Sequence, residues 1–315
     1  APAKGTRLGG YPVETMVALA NRLGVAPHFN MPVHYSDEYV EKFATYVRDN
    51  LAPEIRANVE YSNEVWNWGF PQSQYAQARA AELWPGEETG WVQFSALRTD
   101  NLCRIWKDVF AGQEQRVRCL ISPQTSWREL AETVLECPAR RAKDSSAGAC
   151  FEHVDAINIT GYFSGCLHEN PGQIQSWLGE GKQAALDKGF QQLEKGGLIS
   201  GCGDSLERTI DNYAFFEGLA EERGLEVYVY ESGTHFEYSG DESVRGFLVD
   251  LTQDERMYEA YRKNFDGFAA AGGTTFNVWG WVAQDDAWAN SESIMDRDHP
   301  KYRAISDFVQ TELAQ

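Results

Sequence analysis

Two glutamates carry the chemistry this sequence could do. Glu64 closes the run ANVEYSNE and Glu231 closes the run GLEVYVYE. Both runs are β-branched and aromatic, the composition of a strand. A carboxylate set directly after such a run needs a partner or a purpose, because an unpaired charge is costly to bury. Taken singly, each glutamate also suits a solvated strand end or a helix cap. Taken together they are the pair that glycosidic cleavage requires. One protonated carboxyl donates to the leaving oxygen, and one ionised carboxylate lies on the other side of the anomeric carbon.

The neighbours of these two residues suit the same chemistry. Trp66 and Trp68 follow Glu64 and offer flat, rigid apolar faces to a ring. Plain core packing between strand and helix is the competing role for both indoles. His34 and His235 lie just after strand-like runs and suit substrate contacts. Glu60, four residues before Glu64 and on the same side of an alternating strand, suits a buried structural partner for a base. Asp285 and Asp286 suit either sugar hydroxyls or a solvated loop. His28, His153, His168 and His299 show no ligand spacing, and no metal site is expected. There is no HExxH, no Gly-rich phosphate loop and no GxSxG elbow, and no cofactor is implied.

These residues must be positioned by elements that alternate almost throughout. Val13, Met16, Val17 and Ala20 recur at helical spacing and Gly24 stops the helix. VAPHFNMPV then reads as a short buried strand. Ser36 caps a helix with Val40, Phe43, Val47 and Leu51 along one face. After ANVEYS comes one long helical stretch with Phe94, Leu97, Leu102, Ile105 and Val109 inward. RVRCLIS, VDAINIT, GLEVYVYE and TTFNVWGWV read as four further strands. Tyr258, Tyr261, Phe265 and Phe268 mark a helix ended by Gly272-Gly273, and Tyr302, Ile305, Phe308 and Leu313 define the closing one. Phe163 to Ser205 is read as a long excursion over the C-terminal rim, and Glu237 to Glu242 as an exposed loop. Repeated βα units point to an α/β fold with a parallel sheet, and the (β/α)8 barrel is the natural candidate.

EYSNEVWN, the YESGTH segment and NMPVH together resemble the clan A glycoside hydrolases. The likeness is closest to bacterial proteins described as cellulase-like or cellulose-binding, and it runs from about Tyr11 to Phe308. The resemblance implies a TIM-type barrel in which this chain supplies strands three to eight as a single catalytic domain, residues 1–315, without the first two βα units. A preceding segment or a second chain would then complete the barrel. It also implies Glu64 as acid/base, holding its proton near neutrality, and Glu231 as an ionised nucleophile. Asn63 would hydrogen-bond the sugar 2-hydroxyl, and Tyr162 would touch the nucleophile. Trp279 or Trp281 would floor the central subsite; strand alternation admits one of the two, and Trp279 is preferred. An arginine near the end of strand two that often orients the nucleophile in this clan has no counterpart here. The implied activity is retaining cleavage of a neutral β-linked glycan of β-glucan type. The alternatives are a non-catalytic glycan-binding protein on a degenerate barrel and, more remotely, a metal-dependent hydrolase using strand-end His and Asp.

Composition sets the outer bounds. With 47 acidic against 28 basic residues the formal charge is −19, a field that repels nucleic acid, anionic lipid and polyanionic glycans. No apolar run approaches the roughly 20 residues that cross a bilayer. The opening APAKGTRLGG reads as a polar loop, so any export signal lies outside this sequence. Six cysteines fall between Cys103 and Cys202 without CxxC spacing, which suits disulfides in a secreted protein. Cys137–Cys150 and Cys166–Cys202 are the favoured pairs; Cys103 and Cys119 are left as a third pair or two buried thiols.

Overall fold

A computed structural model describes residues 10–313; the polar opening residues 1–9 and the Leu313 side chain lie outside the described residues. The chain divides into two compact units, Ala1–Asn158 and Ile159–Gln315. No helix among the described residues is long and apolar enough to cross a membrane.

In the first unit α1 (Val13–Leu23) buries Val17 and Ala20 and ends at Gly24, whose φ of 66° needs no Cβ. It leads into β1 (His28–Met31). Helix α2 (Asp37–Asn50) starts at Ser36, whose hydroxyl accepts the Tyr39 N–H at 3.2 Å, and buries Val40, Phe43 and Val47. All five residues of β2 (Ala57–Tyr61) are buried.

The long helical stretch expected next is two helices, α3 (Pro71–Leu83) and α4 (Gly90–Val109). Pro85 and Gly86, the latter at φ 85°, interrupt the backbone between them. The buried face of α4 runs through Phe94, Leu102, Cys103 and Trp106, whereas Leu97, Ile105 and Val109 are half-buried. Trp106 fixes that rotation by stacking on Phe29 and Phe110 at 6.1 and 5.8 Å. Then come β3 (Val117–Ile121), α5 (Glu129–Glu136), α6 (Pro138–Lys143) and β4 (Ala156–Tyr162).

In the second unit the excursion is helical, not looped. Helices α7 (Pro171–Leu178) and α8 (Lys182–Lys195) place Ile174, Trp177, Phe190 and Leu193 in one core with Phe247 and Tyr261. Residues 206–221 and 242–253, to which the patterning assigned nothing helical, are α9 (Leu206–Glu221) and α10 (Glu242–Gln253), flanking β5 (Glu226–Gly233). Then follow α11 (Arg256–Ala271), ended by left-handed Gly272, and α12 (Pro300–Leu313). On α12 Lys301 and Ala304 are fully buried, Ile305 and Phe308 pack half-buried against the core as their spacing predicts, and Tyr302 is exposed. The last strand shrinks to β6 (Thr275–Phe276). TTFNVWGWV leaves strand geometry after Phe276, and Gly280 at φ 152° lies where its missing Cβ would strike the Asn290 side chain.

The six strands run in sequential order β1 to β6 in one sheet. Registered pairs such as Phe29↔Val59, Glu60↔Leu120, Leu120↔Ala156 and Tyr228↔Thr275 are parallel. Sequential parallel strands with helical crossovers are the connectivity of a partial TIM-type fold.

Two cystines, Cys137–Cys150 and Cys166–Cys202, are present. Cys103 and Cys119 are buried free thiols. Burial, then the neighbouring Cys119, pushes the Cys103 thiol well above its ordinary range.

Candidate active site

The Glu64 constellation belongs to the first unit. Strand β2 ends at Tyr61, so Glu64 stands on a turn rather than in the ladder. Ser62 and Glu64 both adopt positive φ, 59° and 44°, on either side of Asn63. Left-handed conformations cost a non-glycine residue free energy and collect where a site over-determines the backbone. Here Asn30 Nδ2 donates to the Ser62 carbonyl at 2.8 Å, and Gln72 Nε2 donates to the Asn63 carbonyl at 2.7 Å. Asn67, which patterning did not single out, donates from Nδ2 to Glu64 Oε2 at 2.9 Å. Its backbone N–H also bonds the Glu64 carbonyl at 2.9 Å. The turn therefore fixes the carboxylate by its own next residues.

Indoles flank this turn. Trp66 and Trp68 line a cleft of about 440 Å³ together with Gln124 and Trp127. Trp68 packs on Trp91 at 4.9 Å, and Trp91 on Trp127 at 6.4 Å. Trp127 carries no motif or spacing signal in the sequence, although it follows β3 as Trp66 follows β2. His34 is exposed and meets Tyr75 edge-on at 4.2 Å. Glu60 is buried and fully engaged: His28 Nε2 at 2.9 Å, Asn30 Nδ2 at 2.8 Å and Ser122 Oγ at 2.5 Å. A carboxylate so satisfied is a structural hub.

The Glu231 constellation belongs to the second unit. Glu231 lies inside β5, two residues before its end at Gly233. The Tyr162 hydroxyl, on the last residue of β4, donates to Glu231 Oε2 at 3.0 Å. Close packing of the strands positions this pair. A Cβ on Gly161 would meet the Tyr213 hydroxyl at 2.6 Å and Ser232 Cβ at 2.9 Å. Tyr213 donates to Asn264 Oδ1 at 2.6 Å, and Asn264 Nδ2 donates to the Gly161 carbonyl at 3.0 Å. Thus side chains from α9 and α11 hold the backbone on which Tyr162 follows.

His235 joins this group through rings, 5.4 Å from Tyr162, 4.9 Å from His168 and 4.6 Å from Trp288. Burial and then His235 hold the His168 imidazole below its ordinary value. Trp279 and Trp281 do not alternate across a strand, because their segment is not one; both are exposed, at 43% and 40%. The Trp279 N–H bonds the Ser232 carbonyl at 3.0 Å, and Trp281 Nε1 donates to Asp286 Oδ2 at 2.9 Å. Asp286 is thereby a structural acceptor. Among the described residues no group of three or more His, Cys, Asp or Glu is placed to hold a metal ion.

Comparison with protein-family models finds no match, and comparison with curated proteins finds none either.

Proposed function

We propose that this chain is a retaining glycoside hydrolase on a (β/α)8-type scaffold, cleaving a neutral β-linked glycan of β-glucan or cellulose type. The observation that carries the proposal is the Tyr162 hydroxyl bonded to Glu231 Oε2 at 3.0 Å. That bond fixes the rotation of a strand-borne carboxylate, the orientation a nucleophile needs for in-line attack. In this reading Glu231 attacks the anomeric carbon while Glu64 gives its proton to the departing glycosidic oxygen. The glycosyl ester on Glu231 is then opened by water, whose proton returns to Glu64. Asn63 bonds the 2-hydroxyl, and Trp279 or Trp281 supports the ring. Double displacement requires the two carboxyl groups to stand about 5–5.5 Å apart. The two disulfides suit secretion into an oxidising compartment.

The test is a glycan panel read by product mass. Glu64→Gln should lower hydrolysis on the order of a hundred- to ten-thousandfold, the usual contribution of a general acid. Glu231→Gln should abolish it, and the first-formed product should keep its anomeric configuration by proton NMR. Full activity in either variant ends the assignment.

A second reading, a non-catalytic glycan-binding protein, draws on the exposed indoles: Trp68 and Trp127 are each 47% accessible. Retention on insoluble cellulose without sugar release, unchanged by either Gln substitution, would favour it.

A further inference from the structure

Residues of the second unit enclose a cleft of about 620 Å³ whose lining includes Trp281, Trp288, Tyr238, Gln284, Asp285 and Arg245. Of these, Trp281 and Asp285 are candidates from the sequence; Trp288, Tyr238, Gln284 and Arg245 are not. Trp281 and Trp288 form a corner, with centroids 5.2 Å apart and ring planes at 54°. Asp286 sets that corner. Its Oδ2 accepts from Trp281 Nε1 and its Oδ1 from the Trp288 backbone N–H, both at 2.9 Å.

The loop behind the corner is equally fixed. Lys301, fully buried, donates to the carbonyls of Ala287 at 2.7 Å and Ala289 at 3.1 Å, on either side of Trp288. The Asn290 N–H bonds the Trp281 carbonyl at 2.9 Å, and the Ala283 N–H bonds the Ser291 carbonyl at 3.1 Å. A wall ordered in advance lowers the entropic cost of binding.

Packed rings link the corner to the candidate nucleophile. Glu231 bonds Tyr162, whose ring lies 5.4 Å from His235, which lies 4.6 Å from Trp288. The polar lining is acidic on balance, with Glu237, Asp285 and Asp286 against Arg245. It disfavours an anionic ligand, while exposed Asp285 and Gln284 suit hydroxyl groups. We infer that this cleft is a second saccharide subsite, taking a further neutral pyranose of the glycan whose scissile linkage meets Glu231. The inference rests on the glycan reading above. The apolar face of the sugar lies on the Trp281–Trp288 corner, which leaves Trp279 to support the ring at Glu231, and its hydroxyls reach Asp285 and Gln284.

The experiment uses Glu231→Gln protein, which binds without turnover, titrated by calorimetry. The probes are cellobiose, cellohexaose, laminarihexaose, xylohexaose, mannohexaose and a glucosamine hexamer. A neutral hexaose should bind about tenfold more tightly than its disaccharide. Adding Trp288→Ala should cost about tenfold for the hexaose, about 1.4 kcal/mol, and remove the advantage of length. Trp288→Phe should restore most of it, and Gln284→Ala, on the surface, should cost a smaller factor. Trp288→Ala protein that keeps its near-UV circular dichroism and its hexaose affinity overturns the subsite. So does tighter binding of the glucosamine hexamer than of any neutral one, or no binding at all.

The two proposals fail separately. Hexaose binding through Trp288 with no hydrolysis by wild type sinks the enzyme and leaves the cleft. Hydrolysis whose KM ignores Trp288→Ala does the reverse.

Discussion

The two carboxylates are held in opposite ways. Glu64 stands on a left-handed turn just past its strand, and Asn67, three residues on, bonds its carboxylate, while Gln72 and the more distant Asn30 bond carbonyls of the turn. Glu231 stays within its strand, and its partner Tyr162 comes from 69 residues away, on a backbone braced by Tyr213 and Asn264. A site built from local turn chemistry tolerates change elsewhere in the fold. A site built from long-range packing transmits such change. The two constellations should therefore respond differently to the same kind of perturbation.

The largest difference concerns the cross-links. Cys166–Cys202 spans 36 residues and Cys137–Cys150 spans 13. Chain-entropy arguments give losses of about 4 and about 3 kcal/mol on replacing each pair by serine. Denaturant midpoints of the two double variants measure the gap. Equal losses would remove the distinction at this level.

Next, Gly161→Ala places a methyl against Tyr213 and Ser232. Overpacking of this kind costs about 1–3 kcal/mol. The loss should show as a lower thermal midpoint together with reduced turnover, because Tyr162 follows directly.

Lys301 gives a pH signature. Burial, opposed weakly by Asp286, pulls its ammonium down to about 7 from 10.5. Between those values the unfolded chain holds more protons than the folded one, so this group makes stability rise as pH increases. Below about pH 7 both states are protonated and its contribution is flat. Lys301→Met should abolish the rising limb. Near about pH 10, where the penalty of burying a charged ammonium has gone, it should also destabilise by about 1–3 kcal/mol, by leaving the Ala287 and Ala289 carbonyls without a donor. Denaturation across about pH 6 to 10 separates the two effects.

The smallest effects compare the carboxylates directly. Tyr162→Phe should lower kcat by about tenfold or more, the worth of a hydrogen bond to a charged group. Asn67→Ala should cost about fivefold, since Gln72 and Asn30 still shape the turn. Single-turnover kinetics checks both. Equal losses would mean that Glu64 depends on its bond as strongly as Glu231 does.

Much of the scaffold was legible in the chain. The Ser36 cap and the Gly24 stop are local chemistry and stand as read. So do the positions of the buried strands, because β-branched runs bounded by breakers have few alternatives. The favoured cystines were legible too, from the even count and moderate spacing of the cysteines, although the segments they close carry helices rather than irregular loops. Other features were hidden for physical reasons. Helix α9 segregates its apolar residues weakly, and Gly189 inside α8 reads as a breaker. In the fold, a Cβ at Gly189 would meet Phe247 at 2.8 Å, so packing requires the glycine. TTFNVWGWV has strand composition, yet Gly280 adopts a backbone that a strand does not allow. Asn67 and Trp288 carry no sequence signal, because a hydrogen bond across three residues, or a ring contact across 53, leaves no period to find.

By itself, then, the sequence determined which residues can form strands, where helices start and stop, and which side chains carry ionisable or flat aromatic groups. Those properties belong to single residues and their near neighbours. The tertiary structure alone decided that Tyr162 bonds Glu231, that Trp106 sets the rotation of α4, and that a buried lysine pins the loop around Trp288. Each of these is a meeting of residues far apart in the chain, selected by close packing and by the need to pair every buried polar group.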